Sequence, residues 1–271
     1  MRIGLQLRPG REAEDARIAE RAACAFVGVD GAVRSPLVAA AAVAVVTDYV
    51  RIVVPIRLGT DHPVTLAEDI AVLDNLSGGR VVALVDTGDL GPEEAAEDLG
   101  LLRASLGARP VKHRGARWQV PAGIEGHEAP DSIQVTPKPV QISVPLWLTG
   151  AVAPGLHVAG GPLPVLAGST ASVDPDIEVQ PAVLAIGGTE ATLDADRDAV
   201  IALSDAGATH LLLRAADPAA AAPLVARVLI PEVAMTGFPR VVAEAMLPPA
   251  WPGLACYVPG PGTGPEGEGT R

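Results

Sequence analysis

Asp86 is the first charged residue after the apolar run Val81-Val82-Ala83-Leu84-Val85. Such a run reads as a buried strand, so its last residue stands where strand gives way to loop. A carboxyl group held there by apolar neighbours is raised in pKa by desolvation and can act as a general acid or base. The same side chain could instead cap the next helix or pair with Arg57, and both readings stand. Arg57 ends a second run, Val53-Val54-Pro55-Ile56, where its guanidinium could bind a substrate carboxylate or enolate. The structural alternative is an ion pair with Asp61 or Asp86. Asp30, after Phe26–Val29, is a third candidate acid, although Asp30-Gly31 is also a common turn pair. Thr87 and Thr149 stand at or beside run ends as hydroxyl donors. His62 precedes Pro63 and reads as structural. His113 and Trp118 fall in a Gly- and Pro-rich stretch that could be a lid or a surface hairpin around one buried aromatic. His127, His157 and His210 are scattered, as are Cys24 and Cys256, so no metal site is expected.

Short apolar runs at 2–7, 26–30, 51–58, 80–86, 145–149, 164–167, 181–186 and 209–214 read as strands. Helical periodicity fills most of the intervals, at 12–25, 36–47, 63–76, 93–106, 193–206 and 219–233. This alternation predicts a parallel (β/α)8 barrel, and barrel active sites gather at the carboxyl ends of the strands. A doubly wound sheet would show a Gly-rich phosphate fingerprint after its first strand, and the turn Arg8-Pro9-Gly10-Arg11 lacks it. Two places interrupt the alternation. Residues 111–144 are polar and rich in Gly and Pro, and predict a segment inserted before the fifth strand. Residues 169–180 are too short for a full helix, so the sixth helix is expected to be reduced or absent. The tail 259–271 has almost no apolar content and is expected to be disordered beyond a single domain over 1–258.

The chain has 271 residues, 49% of them hydrophobic but only 3% aromatic, so Val, Leu, Ile and Ala must pack the core. A net charge of −12 argues against a nucleic-acid partner, since backbone phosphate binding needs clustered cations. The longest apolar stretch, 37–46, is too short to cross a bilayer. The start MRIGLQLRPG runs directly into a strand and a turn, which predicts a cytoplasmic protein.

The segment HPVTLAEDIAVLDNLSGGR, residues 62–80, resembles the stretch after the third strand in luciferase-like flavin and deazaflavin oxidoreductases, which fold as (β/α)8 barrels. RIAERAACAFVGVD looks like that family's first helix and second strand. SPLVAAAAVAVVTDYVRIVV is similar to its second helix and third strand, and VTPKPVQISVPLWLTG to the approach to strand five. DADRDAVIALSDAGATHLLLRA looks like the seventh helix and eighth strand. The resemblance implies FMN or a deazaflavin lying across the barrel mouth. Its cofactor-binding positions fall on Thr87 and Gly88 after strand four, and on Thr149, Gly150 and Ala151 after strand five.

Four positions depart from the family pattern. Asp86 stands near where a basic residue reaches the phosphate. Gly150-Ala151 replaces a Gly pair followed by hydroxyl residues. Asp30-Gly31 replaces an acid–histidine pair. Pro55 lies inside the third strand, where a bulge or break is expected. Clustered at one end of the barrel, these changes predict weak FMN binding or none. The implied function is a monooxygenase acting on a small hydrophobic organic substrate. Two alternatives are a flavin-independent cyclase or isomerase using Asp86 and Arg57, and a non-catalytic partner subunit. The apolar second and third helices are expected to pair with a second copy, a homologue or a reductase.

Overall fold

The computed structural model describes residues 1–123, 130–149, 156, 158, 161–166 and 179–234. Eight parallel strands form one sheet: β1 (Arg2–Gln6), β2 (Phe26–Gly28), β3 (Arg51–Arg57), β4 (Val81–Asp86), β5 (Leu146–Thr149), β6 (Val165–Leu166), β7 (Pro181–Ala185) and β8 (His210–Arg214). The order β6-β5-β4-β3-β2-β1-β8-β7 wraps round so that β6 and β7 lie side by side without a ladder between them. This is the expected barrel, nearly closed. Helices α1 (Glu12–Arg21), α2 (Pro36–Ala44), α3 (Pro63–Ser77), α4 (Pro92–Leu106), α5 (Leu193–Asp205), α6 (Pro218–Leu224) and α7 (Ile230–Ala234) lie outside it. The expected reduction of the sixth helix, the tail at 259–271 and the boundary at 258 fall outside the described residues.

Strand parity sorts the side chains into two shells. Ile3, Leu5, Val27, Val54, Val85 and Leu211 face outward and pack on Ala16, Ala40, Leu66, Ile70 and Leu99 of the helices. Phe26, Val53, Val82, Trp147, Leu166 and Leu212 face inward and fill the barrel. Phe26 meets Trp147 edge-on, with ring centroids 6.0 Å apart. Glycine at position 4 is required by that filling: a Cβ there would stand 2.5 Å from the Phe26 carbonyl oxygen and 2.6 Å from its ring.

The third strand corrects the sequence reading. β3 runs unbroken through Pro55, in register with β4 from Ile52↔Val81 to Arg57↔Asp86. Val29 donates to Val53 O on the β2 side, and the chain then leaves at the Asp30 turn. The missing amide of Pro55 therefore falls where β2 has already ended, and no ladder bond is lost.

The 62–80 segment proves to be architectural. His62 caps α3, its Nδ1 accepting the Val64 amide at 3.1 Å. Gly78 and Gly79 close the helix with φ of 68° and 83°. Arg80 then donates to the carbonyls of Ala44, Thr47, Val50 and Ser77, capping α2 at the end of the barrel away from the mouth.

The described part of the inserted segment contains a surface hairpin packed against α4. Its strands His113–Arg114 and Gln119–Val120 lie against the outer side of α4. Leu101 packs on Val111, Val120 and Trp118, whereas Leu99 and Leu102 face the barrel. Glu97 accepts His113 Nε2 and the amides of Ala116, Arg117 and Trp118. Burial alone would raise this carboxyl, but those four donors outweigh it and hold the pKa at about 2.

Candidate functional site

The mouth is built by extending the inward parity past the interior cluster. On β1 that parity gives Gln6, and two residues past β2 it gives Asp30. On β3 it gives Pro55 and then Arg57, paired in the ladder with Leu84 and Asp86 of β4. Thr149 of β5 lies opposite Leu166, and Arg214 of β8 opposite Ala185. Pro55, Leu84 and Leu166 thus form an apolar floor beneath a polar rim. Asp86, Arg57, Asp30 and Thr149, all named from sequence, are brought to that rim together.

Each has a definite local role. Asp86 Oδ1 accepts the Gly88 amide at 2.9 Å, closing its own turn. It does not cap α4, because Gly91 is that helix's N-cap and Glu94 accepts the Gly91 amide. Nor does it pair with Arg57, whose Nη2 reaches Asp89 Oδ2 at 2.9 Å. Asp61 is not that partner either: its carboxylate meets the Thr60 hydroxyl. The cause is Gly88, whose φ of 59° swings the turn so that Asp89 meets Arg57. A Cβ on Gly88 would sit 2.9 Å from Arg57 Nε. Asp30 Oδ1 accepts the Ala32 amide at 2.8 Å, as its Asp-Gly sequence predicts. Thr149 is half-buried with inward parity, whereas Thr87 is 4% exposed and offers a ligand little hydroxyl surface. Gly150 and Ala151 lie outside the described residues.

Three features of the mouth escaped the sequence reading. Gln6 donates to Gly28 O at 3.0 Å, and Arg214 projects from the end of β8. Both could have been found by counting alternate residues along Arg2–Gln6 and His210–Arg214. The third is the loop after β7, where buried Asp196 accepts the amides of Gly187 and Gly188 at 3.0 and 2.9 Å. Nearby, Asp15 accepts Arg8 Nε and Nη2 at 2.9 and 2.6 Å, and Asp217 holds Nη1 at 2.9 Å. These hydrogen bonds, chiefly to Asp15, raise the Arg8 guanidinium above its ordinary pKa. Internal carboxylates therefore already occupy donors in the loops after β1, β4 and β7.

A cavity of about 270 Å³ opens at the opposite end, where Arg103, Pro145, Trp147, Pro164 and Val179 line it. It lies at the amino ends of β5 and β6, where barrel enzymes do not build active sites, so the mouth is the candidate. His210 faces the barrel interior near that end, in contact with Trp147 at 5.3 Å. Burial, with Arg2 and Arg51 nearby, pushes its pKa down to about 4. Among the described residues no group of three or more His, Cys, Asp or Glu could hold a metal ion. None of their helices is long and apolar enough to cross a membrane.

A family profile described as luciferase-like monooxygenase matches residues 8–161. Among solved structures, the monooxygenase RslO1 from Streptomyces bottropensis superposes with a TM-score of 0.65 at 16% identity, over 86% of this chain and 99% of that one. The coenzyme F420-dependent tetrahydromethanopterin reductase from Methanopyrus kandleri gives 0.61 at 16% identity, over 86% and 99%. Comparison with curated proteins gives no match.

Proposed function

Because the chain belongs to the luciferase-like monooxygenase family, we propose that it is an oxidoreductase using a reduced flavin or deazaflavin, of monooxygenase type, on a small hydrophobic organic molecule. The observation that carries this reading is the mouth itself, an apolar floor under a rim that includes Asp86, Arg57 and Thr149. An apolar floor under polar groups is the kind of surface on which an aromatic ring system stacks. The loop amides fit a phosphate less well, because those of Gly88, Gly187 and Gly188 are taken by Asp86 and Asp196. When bound, the reduced cofactor would supply two electrons that, with two from the substrate, reduce dioxygen, one oxygen atom entering the substrate and the other leaving as water. The chain's own contribution is narrower. Pro55, Leu84 and Leu166 exclude water from the floor, and the Thr149 hydroxyl orients a polar group above it. Asp86 holds or accepts a proton on the carboxylate oxygen that its turn leaves unused. We place a second copy of the chain on the outer face of α2 and α3.

The test is quenching of flavin fluorescence on titration with FMN and with a deazaflavin cofactor. We expect saturable quenching with a dissociation constant above about 1 μM, since the β4 corner offers an acid where a phosphate needs a cation. Sub-micromolar FMN binding would refute the expected weakness. No quenching by either compound would remove the flavin reading and favour the acid–base enzyme built on Asp86.

A further inference from the structure

We propose that the mouth holds an oxyanion, a carboxylate or a phosphate, between the guanidinium groups of Arg57 and Arg214. The inference rests on the mouth being the site, and extends that reading to the charge of what enters it. Arg57 and Arg214 end β3 and β8 with the same inward parity as Val53 and Leu212 of the interior cluster. Only β1 and β2 separate them, three strand spacings of about 4.8 Å, and the ladders from Arg214 run through Gln6 and Gly28 to Val53, four residues before Arg57 on β3. Because barrel strands are tilted, stepping along the ladders changes height along the axis, so this register offset brings the two strand ends toward a common level at the mouth, and two long arginine side chains can converge there across the chord.

Their present partners distinguish them from the third arginine of the mouth. Arg8 is committed to buried Asp15 and to Asp217. Arg57 meets only Asp89, in a pair whose side chains are 52% and 99% exposed, which water screens and a ligand can displace. The Arg214 side chain makes no hydrogen bond or ion pair among the described residues. In a chain of net charge −12, a solvent-facing guanidinium with no internal acid is the residue available to an external one. The acids of the rim do not fill this role. Asp30 accepts the Ala32 amide and Asp86 the Gly88 amide, each within its own loop. The β7 loop cannot fill it with backbone donors, because Asp196 already holds both glycine amides.

Isothermal titration calorimetry with benzoate and with inorganic phosphate tests the proposal on the full chain. Arg57→Gln, Arg214→Gln and a control, Arg21→Gln, at the far end of exposed α1, are compared with the parent. Thermal melting verifies that each variant is folded. We expect the two mouth variants each to weaken at least one probe about tenfold, and the control to leave both unchanged. Unchanged binding in both mouth variants, an equal loss in the control, or no saturable binding by the parent would overturn it. FMN and riboflavin then identify the source. Selective weakening of FMN by Arg214→Gln assigns the oxyanion to the cofactor phosphate. Weakened benzoate with both flavins unaffected assigns it to a substrate carboxylate. Retained benzoate binding with no flavin binding would sink the flavin reading alone and leave this inference standing.

Discussion

Asp86 uses one carboxylate oxygen to accept the Gly88 amide, and that geometry separates its structural role from its chemical one. Asparagine keeps an oxygen acceptor of the same shape, so Asp86→Asn preserves the turn. It also removes the ability to take up and release a proton, a contribution of about 10²–10⁴ in rate. We therefore expect turnover in substrate-dependent flavin oxidation to fall by that factor with the melting temperature almost unchanged. An equal fall in both would make Asp86 a structural residue, and an unchanged rate would remove it from the mechanism. The strand-end positions of Asp86, Asp30, Arg57 and Thr149 were legible because each ends an apolar run, whereas the direction in which Arg57 turns was not. Nor was the partner of Arg57. It depends on the positive φ of Gly88, which redirects Asp89, and a sequence does not show which glycine takes that conformation.

Among the elements, legibility followed what each helix or strand does locally. α3 was readable from Pro63 to the Ser-Gly-Gly close, but the purpose of Arg80 was not. Its guanidinium serves carbonyls of Ala44, Thr47 and Val50, which lie about thirty positions away in sequence. Pro55 misled because its cost depends on a neighbour: β2 ends before the missing amide would be needed. At the C-terminal end, Pro223 and Pro231 withhold amides from what reads as one helix, and residues Val225–Leu229 wind as a π-helix between α6 and α7. The inserted hairpin depends on Glu97, whose carboxylate gathers three backbone amides and His113. Glu97→Gln should cost about 1.5–3 kcal/mol at neutral pH, because donors to a charged acceptor lose it. The folded pKa lies at about 2, below the ordinary value of 4.5, so the carboxylate stabilises fully above about pH 4.5. That contribution is lost as pH falls toward 2. In paired melting curves the gap between parent and variant should therefore be widest near pH 7 and close on acidification. A gap that persists unchanged at pH 3 and below would mean that Glu97 acts by packing and not by charge.

At the scale of the whole molecule, alternation of runs and periodic stretches carried the barrel, and the family profile spans β2 to β5. The proposed association with a second copy rests on a different pattern, the apolar, Ala-rich surface of the second and third helices. Two chains of net charge −12 repel, so an uncharged surface is where a second copy meets least resistance. α2, Pro-Leu-Val-Ala-Ala-Ala-Ala-Val-Ala, carries no charged side chain and packs beside α3. Val38, Val45 and Tyr49 in and just after α2 are 61–68% exposed, and Val72 and Leu76 of α3 are 54% and 49% exposed. Patches of that kind are uncommon on monomers, and a two-fold axis through this one would bury the same residues from both copies. Placing a charge at its centre, Val45→Glu or Val72→Glu, leaves the barrel core untouched because both side chains point to solvent. We expect sedimentation velocity to show a dimer for the parent and a monomer for each variant, with melting curves that show both variants folded. The salt dependence supplies a second check, since raising ionic strength screens the repulsion of the acidic remainder and should tighten the parent dimer. A monomeric parent at all salt concentrations, or variants that remain dimeric, would place the interface elsewhere or nowhere.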